Sequence, residues 1–412
     1  MRIGILGGGI TGLSLAQLLK DKFEVDVLEE KLVPGGIART KNVNGIAYHV
    51  VGGHCFNSKH QDVLDFVFNQ ILPKENWNKI NRNSSILFKG NEIGYPIEYS
   101  LKEIFQFDKQ LAINITADFL NSIDDQKYDN LEEWFIKKFG LTLSNEYFIP
   151  YNTKIWNKHP KNMDPSWVKD TLPTPDKVSF FEGLIGNSKD NMPHAEFYYP
   201  KSNNQNTFID ALANGLNIIY NTKIETIIKS DKWIINNQYK YDLIISTLPL
   251  NILPTLLKNI PENILNSASK LKYNRVSNGL WESEMTNKTW TYLPEKENLF
   301  HRYIHIGSFF DPQKGYTITE TIGDHTISEI SKDGENDPFL KNLLDHNTSE
   351  HAYVVFDENY KDCTESVKNY LNEIGINSIG RFGEWQYYNM DVCIKQSIDL
   401  SKKLIADYIV KQ

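Results

Sequence analysis

Short apolar runs alternate with helical spacing at both ends of the chain, and the middle is rich in aromatic helical patterns. Ile3, Ile5 and Leu6 form a run of the kind buried in a parallel sheet. It breaks at Gly7, Gly8 and Gly9, and helical periodicity resumes near Leu13. A second apolar run over 25–28 stops at Glu29. Val63, Phe66, Val67 and Ile71 predict a helix over 61–71, and residues 86–101 read as strand and turn. From 101 to 171 the pattern is helical, carried by Ile104, Leu111, Ile115 and Phe119 and then by Leu131, Trp134, Phe135 and Phe139. Residues 181–195 read as a loop, 197–200 as a return to sheet, and 208–216 as a helix. Residues 218–230 and 233–241 read as neighbouring strands, followed by a strand over 243–246 that Pro249 ends. Strands at 276–280, 289–293, 301–308 and 316–321 predict an antiparallel platform for a ligand. A helix covers 366–371, and a longer one runs from about 391 to 409.

This succession divides the chain into a nucleotide-binding start (1–100), a helical cap (101–180), a return to the first unit (181–271), the platform (272–365) and a closing segment (366–412). The expected fold class is α/β, a Rossmann-like dinucleotide-binding domain with a helical cap and a mainly antiparallel substrate-platform sheet. At 412 residues, two or three lobes are expected. Forty per cent apolar residues suffice for sizeable cores.

The chemistry begins in the first forty residues. Gly7 allows a tight turn, Gly9 allows backbone to approach a pyrophosphate, and Gly12 allows helix to pack on strand. Phosphates would lie over the helix N-terminus. Glu29 follows Gly7 by 22 residues, where a carboxylate accepts from an adenosine ribose. Gly35, Gly36 and Arg39 follow too soon for the third element of a nicotinamide domain. A second glycine pair suits the far half of a larger cofactor, with Arg39 offering donors to a phosphate or flavin edge.

A formal charge of −8 argues against a general nucleic-acid surface. No apolar run reaches the length of a transmembrane helix, and no signal peptide is expected. Cys55, Cys363 and Cys393 have neither metal nor disulfide spacing. A cytoplasmic setting without a required metal is therefore expected.

The second glycine motif resembles that of the FAD-containing amine oxidase and sugar-mutase superfamily. Further segments resemble the UDP-galactopyranose mutases and related nucleotide-sugar mutases: Gly52-Gly53-His54-Cys55-Phe56, Tyr151 to Trp156, Ser246-Thr247-Leu248-Pro249, and Gly380 to Val392. In that family the N5 of reduced flavin attacks the anomeric carbon, nucleoside diphosphate leaves, and the adduct permits ring opening and reclosure. The resemblance thus implies FAD, active in its reduced form and served by an external nicotinamide or other reductant. It also implies a nucleoside diphosphate sugar as substrate, a UDP-sugar first, and leaves a homodimer open.

It places His54 beside the isoalloxazine, Arg302 as the diphosphate clamp, and Tyr387 at a phosphate oxygen. Tyr151 stacks on the base, Trp156 walls the sugar pocket, and Asn389 lies in the same pocket. Arg381, Gly383 and Ile224 attend the cofactor, and Met390, Asp391 and Val392 approach the flavin through backbone. Asp391 is also a candidate cap for the last helix. His301, next to Arg302, should face the other side of a regular strand.

Two departures stand out. No arginine follows the Leu-Pro pair at 172–173, where the bacterial galactose enzymes carry a second phosphate ligand. Asn389 replaces an aspartate of the motif. Lys201 or another cation is a candidate substitute for the absent arginine. Two other readings remain open on this scaffold: a flavoprotein that oxidises a sugar or lipid-linked substrate, and a non-catalytic flavin-binding scaffold.

Overall fold

The computed structural model describes residues 1–124, 126–168, 172, 174–185, 195–310 and 314–410. Five parallel strands carry the cofactor half, in the order Asn377–Ser378, Leu243–Ser246, Arg2–Leu6, Glu24–Leu28 and Asn217–Ile219. Arg2–Leu6 is central, and its Ile3, Ile5 and Leu6 are fully buried. The first helix, Ile10–Leu19, starts three residues earlier than the apolar spacing around Leu13 suggested. The Leu13 amide donates to the Gly9 carbonyl at 2.9 Å, so the glycine turn itself opens the helix. This helix packs on Met390–Val410, where the Ser397 hydroxyl donates to the Thr11 carbonyl at 3.0 Å.

The second sheet is the expected platform. Its seven strands run in the order Leu340–Val354, Tyr273–Ser283, Tyr316–Ile322, Arg302–Ile304, Trp290–Tyr292, Ser84–Phe88 and Asn91–Gly94. All neighbours are antiparallel except Trp290–Tyr292 on Ser84–Phe88, which is parallel. Two strands from the 1–100 segment therefore lie in the platform. Leu340–Val354 was not expected as a strand. Register shifts break its alternation at three places, and its half-exposed stretch is rich in polar residues, so no period-2 apolar pattern survives. The expected strand over 301–308 is only Arg302–Ile304, followed by a tight turn at Ile306–Phe309. The stretch over 218–230 is likewise divided. Asn217–Ile219 edges the parallel sheet, whereas Ile227–Lys229 joins Trp233–Ile235 and Tyr239–Tyr241 in a small antiparallel sheet.

The cap is helical: Leu101–Phe107, Lys109–Asn121, Leu131–Phe139, Ile149–Trp156 and Lys177–Ile185. The last corrects the loop expected over 181–195, of which 186–194 lie outside the described residues. Phe180 stacks on Phe119 with ring centroids 3.8 Å apart, and Gly183 packs directly on the Tyr99 backbone. Close approach thus explains a glycine within this helix. The helix expected over 366–371 is longer, Tyr360–Glu373. Among the described residues no helix is long and apolar enough to cross a membrane.

Candidate active site

The glycine motifs meet at the C-terminal end of the parallel sheet. Gly7 has φ +105°, and its amide donates to the Leu28 carbonyl at 2.9 Å. A Cβ on Gly12 would stand 2.0 Å from the Gly7 carbonyl oxygen, so that helix–strand approach requires glycine. The second motif folds back on the first: Gly35 donates to Gly8 at 2.7 Å, and Gly36 lies against the Gly9 backbone. A Cβ on Gly9 would meet nothing within 4 Å, which leaves open backbone at the helix N-terminus. Glu29 is buried and accepts from the Gly8 and Lys31 amides, both at 2.8 Å. Its remaining lone pairs can still receive ribose hydroxyls. Thr222, two residues before the buried Ile224, donates to the Glu29 carbonyl at 2.9 Å. The Arg39 guanidinium lies 3.4 Å from the Gly36 carbonyl.

Between the platform and the cap lies a cavity of about 170 Å³. Tyr151, Trp156, Arg302 and Tyr387 all line it, as do Tyr95, Glu98, Tyr292, His301 and Tyr353. Arg302 does not hang free. Its Nε donates to Glu320 at 2.6 Å, and Nη2 pairs with the same carboxylate and donates to the Tyr353 hydroxyl at 2.9 Å. Burial opposes the Arg302 charge, but the fully buried Glu320 carboxylate and the neighbouring tyrosines hold its pKa well above the ordinary value. The other Glu320 oxygen accepts the Gly52 amide at 2.7 Å. One carboxylate therefore joins the clamp candidate to the turn that carries His54.

Burial, together with His49, Arg381 and Arg302, keeps His54 well below the usual imidazole pKa and hence neutral. Its Nε2 is buried without a partner, as are Arg381 Nε and Gln205 Oε1. Arg381 packs over the Tyr387 ring at 4.3 Å and donates to the Tyr388 and Ala352 carbonyls. Gly383 is buried against Ser378, and Met390 accepts at sulfur from Gln205 at 3.7 Å. Open backbone at Gly9, the Glu29 carboxylate and these orphaned polar atoms fit a flavin dinucleotide.

Four expectations need correction. His301 lines the cavity with Arg302 and lies 3.8 Å from Glu320, because the strand begins at Arg302 and no alternation reaches back to 301. Asp391 does not cap the last helix. That helix starts at Met390, and the Asn389 carbonyl accepts from Cys393 at 3.2 Å, which makes Asn389 the flanking residue. Asn389 is itself exposed and does not line the cavity. Val392 is half-buried in the first turn. Lys201 is exposed and also lies off the cavity, and of the Leu-Pro pair Leu172 lines it while Pro173 is outside the described residues.

Sequence reading missed Glu98, Glu320, Tyr353 and the tyrosine walls. Glu320 shares a strand face with Ile318, so an acid at an apolar position was the available signal. Tyr353 was hidden with its strand. The Arg82 guanidinium braces the wall, lying 4.9 Å from the Trp290 ring and 5.4 Å from Tyr95 and donating to the Tyr292 hydroxyl at 2.5 Å. Among the described residues no three histidine, cysteine or acidic side chains cluster as a metal site.

Residues 5–69 match the family described as NAD(P)-binding Rossmann-like domain. The chain is 27% identical over 228 residues to the dTDP-fucopyranose mutase of Escherichia coli, covering 50% of this chain and 58% of that protein. It is 24% identical over 173 residues to the UDP-galactopyranose mutase of Mycoplasma pneumoniae, covering 39% and 42% respectively. The matched stretches thus span about half the length of these relatives. The solved structure of reduced UDP-galactopyranose mutase superimposes with a TM-score of 0.86 at 22% identity, covering 98% of this chain and 94% of that one. A CLA-producing fatty acid isomerase from P. acnes gives 0.68 at 17% identity, with 98% of both chains covered.

Proposed function

We propose, for a chain that has the UDP-galactopyranose mutase-like fold within the FAD-binding superfamily, that it is a pyranose–furanose mutase of nucleoside diphosphate sugars. The observation that carries the reading is the Arg302–Glu320–Gly52 connection. It sets a preorganised cation at the cavity wall and ties it to the turn bearing a neutral histidine. Gly7, Gly9, Gly12, Glu29, Gly35, Gly36 and Arg39 would hold the dinucleotide, with Arg381, Gly383 and Met390 to Val392 beside its ring system. When bound and reduced, the flavin supplies the nucleophile, its N5, for the anomeric carbon.

The chain's own groups do the rest. Arg302 binds the diphosphate and offsets the charge that grows on it as the anomeric bond breaks, a task suited to a planar fork that does not titrate. The Tyr387 and Tyr353 hydroxyls supply further donors at that end. Neutral His54 can accept or donate one hydrogen bond at the cofactor without bringing in charge. The aromatic cap excludes water, which would otherwise capture the reacting sugar. The names of the two relatives favour a pyrimidine nucleotide, UDP or dTDP, and surface-polysaccharide synthesis in the cytoplasm is the setting we infer.

The test is incubation with a panel of nucleotide sugars, with and without dithionite or a nicotinamide donor. A ring isomer of unchanged mass, formed only with reduced flavin, is the expected result. Net substrate oxidation with repeated flavin reduction would overturn the mutase reading in favour of an oxidase.

A further inference from the structure

Glu98 is 2% exposed, yet it lines the cavity. Among the described residues its carboxyl group has no side-chain hydrogen-bond partner and no ion pair, only its own backbone N–H. Burial with no cation beside it disfavours the ionised carboxylate and favours the neutral acid. Burial raises its pKa to about 8. The titratable groups facing it are Tyr95 and Tyr99 on its own segment and Tyr147 on the cap, with Tyr151 and Tyr292 behind them. The cations of this wall are engaged elsewhere: Arg302 with Glu320, and Arg82 with Ser84 and Tyr292.

Its position in the cavity is set by the cap. The helical run from Tyr147 to Trp156 passes along the wall and rises on the order of 13 Å at about 1.5 Å per residue. Trp156 touches Tyr353 and Tyr387 at the end that holds Arg302. Tyr147 lines the same cavity as Tyr95 and Glu98. Two stacked pairs, Tyr95 on Tyr292 at 4.7 Å and Tyr147 on Tyr151 at 5.5 Å, form flat aromatic walls that run from Glu98 to Arg302, the strand partner of Tyr292. Flat walls and one group that both donates and accepts describe a site for a planar, uncharged heterocycle.

We propose that Glu98 pairs through its carboxyl hydroxyl and carbonyl with the ring C=O and N–H of a uracil- or thymine-type base, and so is the residue that reads the base. This rests on the nucleotide-sugar reading above. The neutral acid is the binding form, so affinity is complete below pH 8 and is lost as pH rises through it. Deprotonation removes the donor and sets a carboxylate against the base carbonyl.

The experiment measures binding of UDP, dTDP and N3-methyl-UDP to the flavin-loaded protein by calorimetry between pH 6 and pH 9. The wild type, Glu98→Gln and Glu98→Met are compared. Methylation at N3 should weaken wild-type binding about tenfold, the worth of roughly one lost buried hydrogen bond. Wild-type affinity for UDP should fall by up to about tenfold per pH unit above pH 8. Glu98→Gln should keep the affinity and lose this dependence, leaving only the titration of the ligand itself. Glu98→Met should bind UDP and N3-methyl-UDP within about twofold of each other. If the methionine variant does not fold, the contrast between wild type and glutamine in the pH series still decides. UDP binding that is indifferent to N3-methylation and to both substitutions would overturn the role of Glu98 alone. Wild-type protein that binds neither UDP nor dTDP would overturn the nucleotide reading, and Glu98's role with it.

Discussion

The cofactor frame and the cap cavity recognise in different ways. The frame is made of backbone: glycines at 7, 9, 12, 35 and 36, a helix N-terminus, and one carboxylate that holds the turn in shape. The cavity is made of side chains drawn from the 95–98 stretch, the cap, the platform and the closing segment, and the Arg302–Glu320 link in its wall is buried. A backbone site tolerates almost no added atom but asks little of distant sequence. A side-chain site tolerates exchange at single positions, provided that buried charges stay paired.

The sharpest break of that contrast is Arg302→Ala. It should leave Glu320 buried without its cation and cost about 3–5 kcal/mol, read as a fall in the denaturation midpoint, together with loss of nucleoside diphosphate binding. Adding Glu320→Gln should restore much of the stability but none of the binding, which separates pairing from recognition. Retained stability in Arg302→Ala would remove the pair from the fold's support. Next come two glycines of the frame. Gly12→Ala puts its Cβ 2.0 Å from the Gly7 carbonyl and should cost roughly 3 kcal/mol, with little flavin retained. Gly9→Ala meets nothing in the protein and should fold normally while losing flavin on gel filtration. Equal flavin content in Gly9→Ala and wild type would place the dinucleotide elsewhere.

A smaller effect per residue concerns acid. Burial lowers His49 and His305 to about 3 and holds His54 and His301 well below the ordinary value. The unfolded chain takes up these protons near pH 6.5 and the folded chain does not. Stability should therefore be complete above that pH and fall as pH drops toward the folded values, by up to roughly 1.4 kcal/mol per unit for each histidine. Denaturant midpoints between pH 7 and pH 4 measure it, and His305→Asn should flatten the slope by one proton. The smallest effect is expected at Asn389→Asp. An exposed carboxylate at a helix start should stabilise by about 0.3–1 kcal/mol and barely alter turnover, since the residue lies off the cavity. A large change in sugar preference would bring residue 389 back to the substrate.

The two regions also differ in how far the sequence discloses them. Gly7, Gly12 and Glu29 act within thirty residues of one another, so their spacing alone carries the geometry. Glu320 reaches Gly52 across 268 positions, and nothing local marks either residue as half of a pair. Glu98 stands among tyrosines that are neighbours in sequence, but the cavity wall they build needs Tyr147 and Tyr292 from elsewhere. The long strand Leu340–Val354 escaped notice because bulges and a polar exposed stretch erased its period. Helix and strand patterns were legible where one apolar face is continuous, as in Leu131–Phe139.

The parallel pairing of Ser84–Phe88 with Trp290–Tyr292 bears on how the chain is made. During synthesis the early hairpin over 84–94 waits about 200 residues for its neighbour, and Arg2–Leu6 waits as long for Leu243–Ser246. Each of these strands keeps an open, hydrogen-bonding edge until the segment 243–304 emerges, and such edges invite pairing with other chains. Ribosome-stalled chains ending near residue 240 should aggregate, whereas the full chain carries Tyr316–Ile322, Leu340–Val354 and Asn377–Ser378, which complete both sheets.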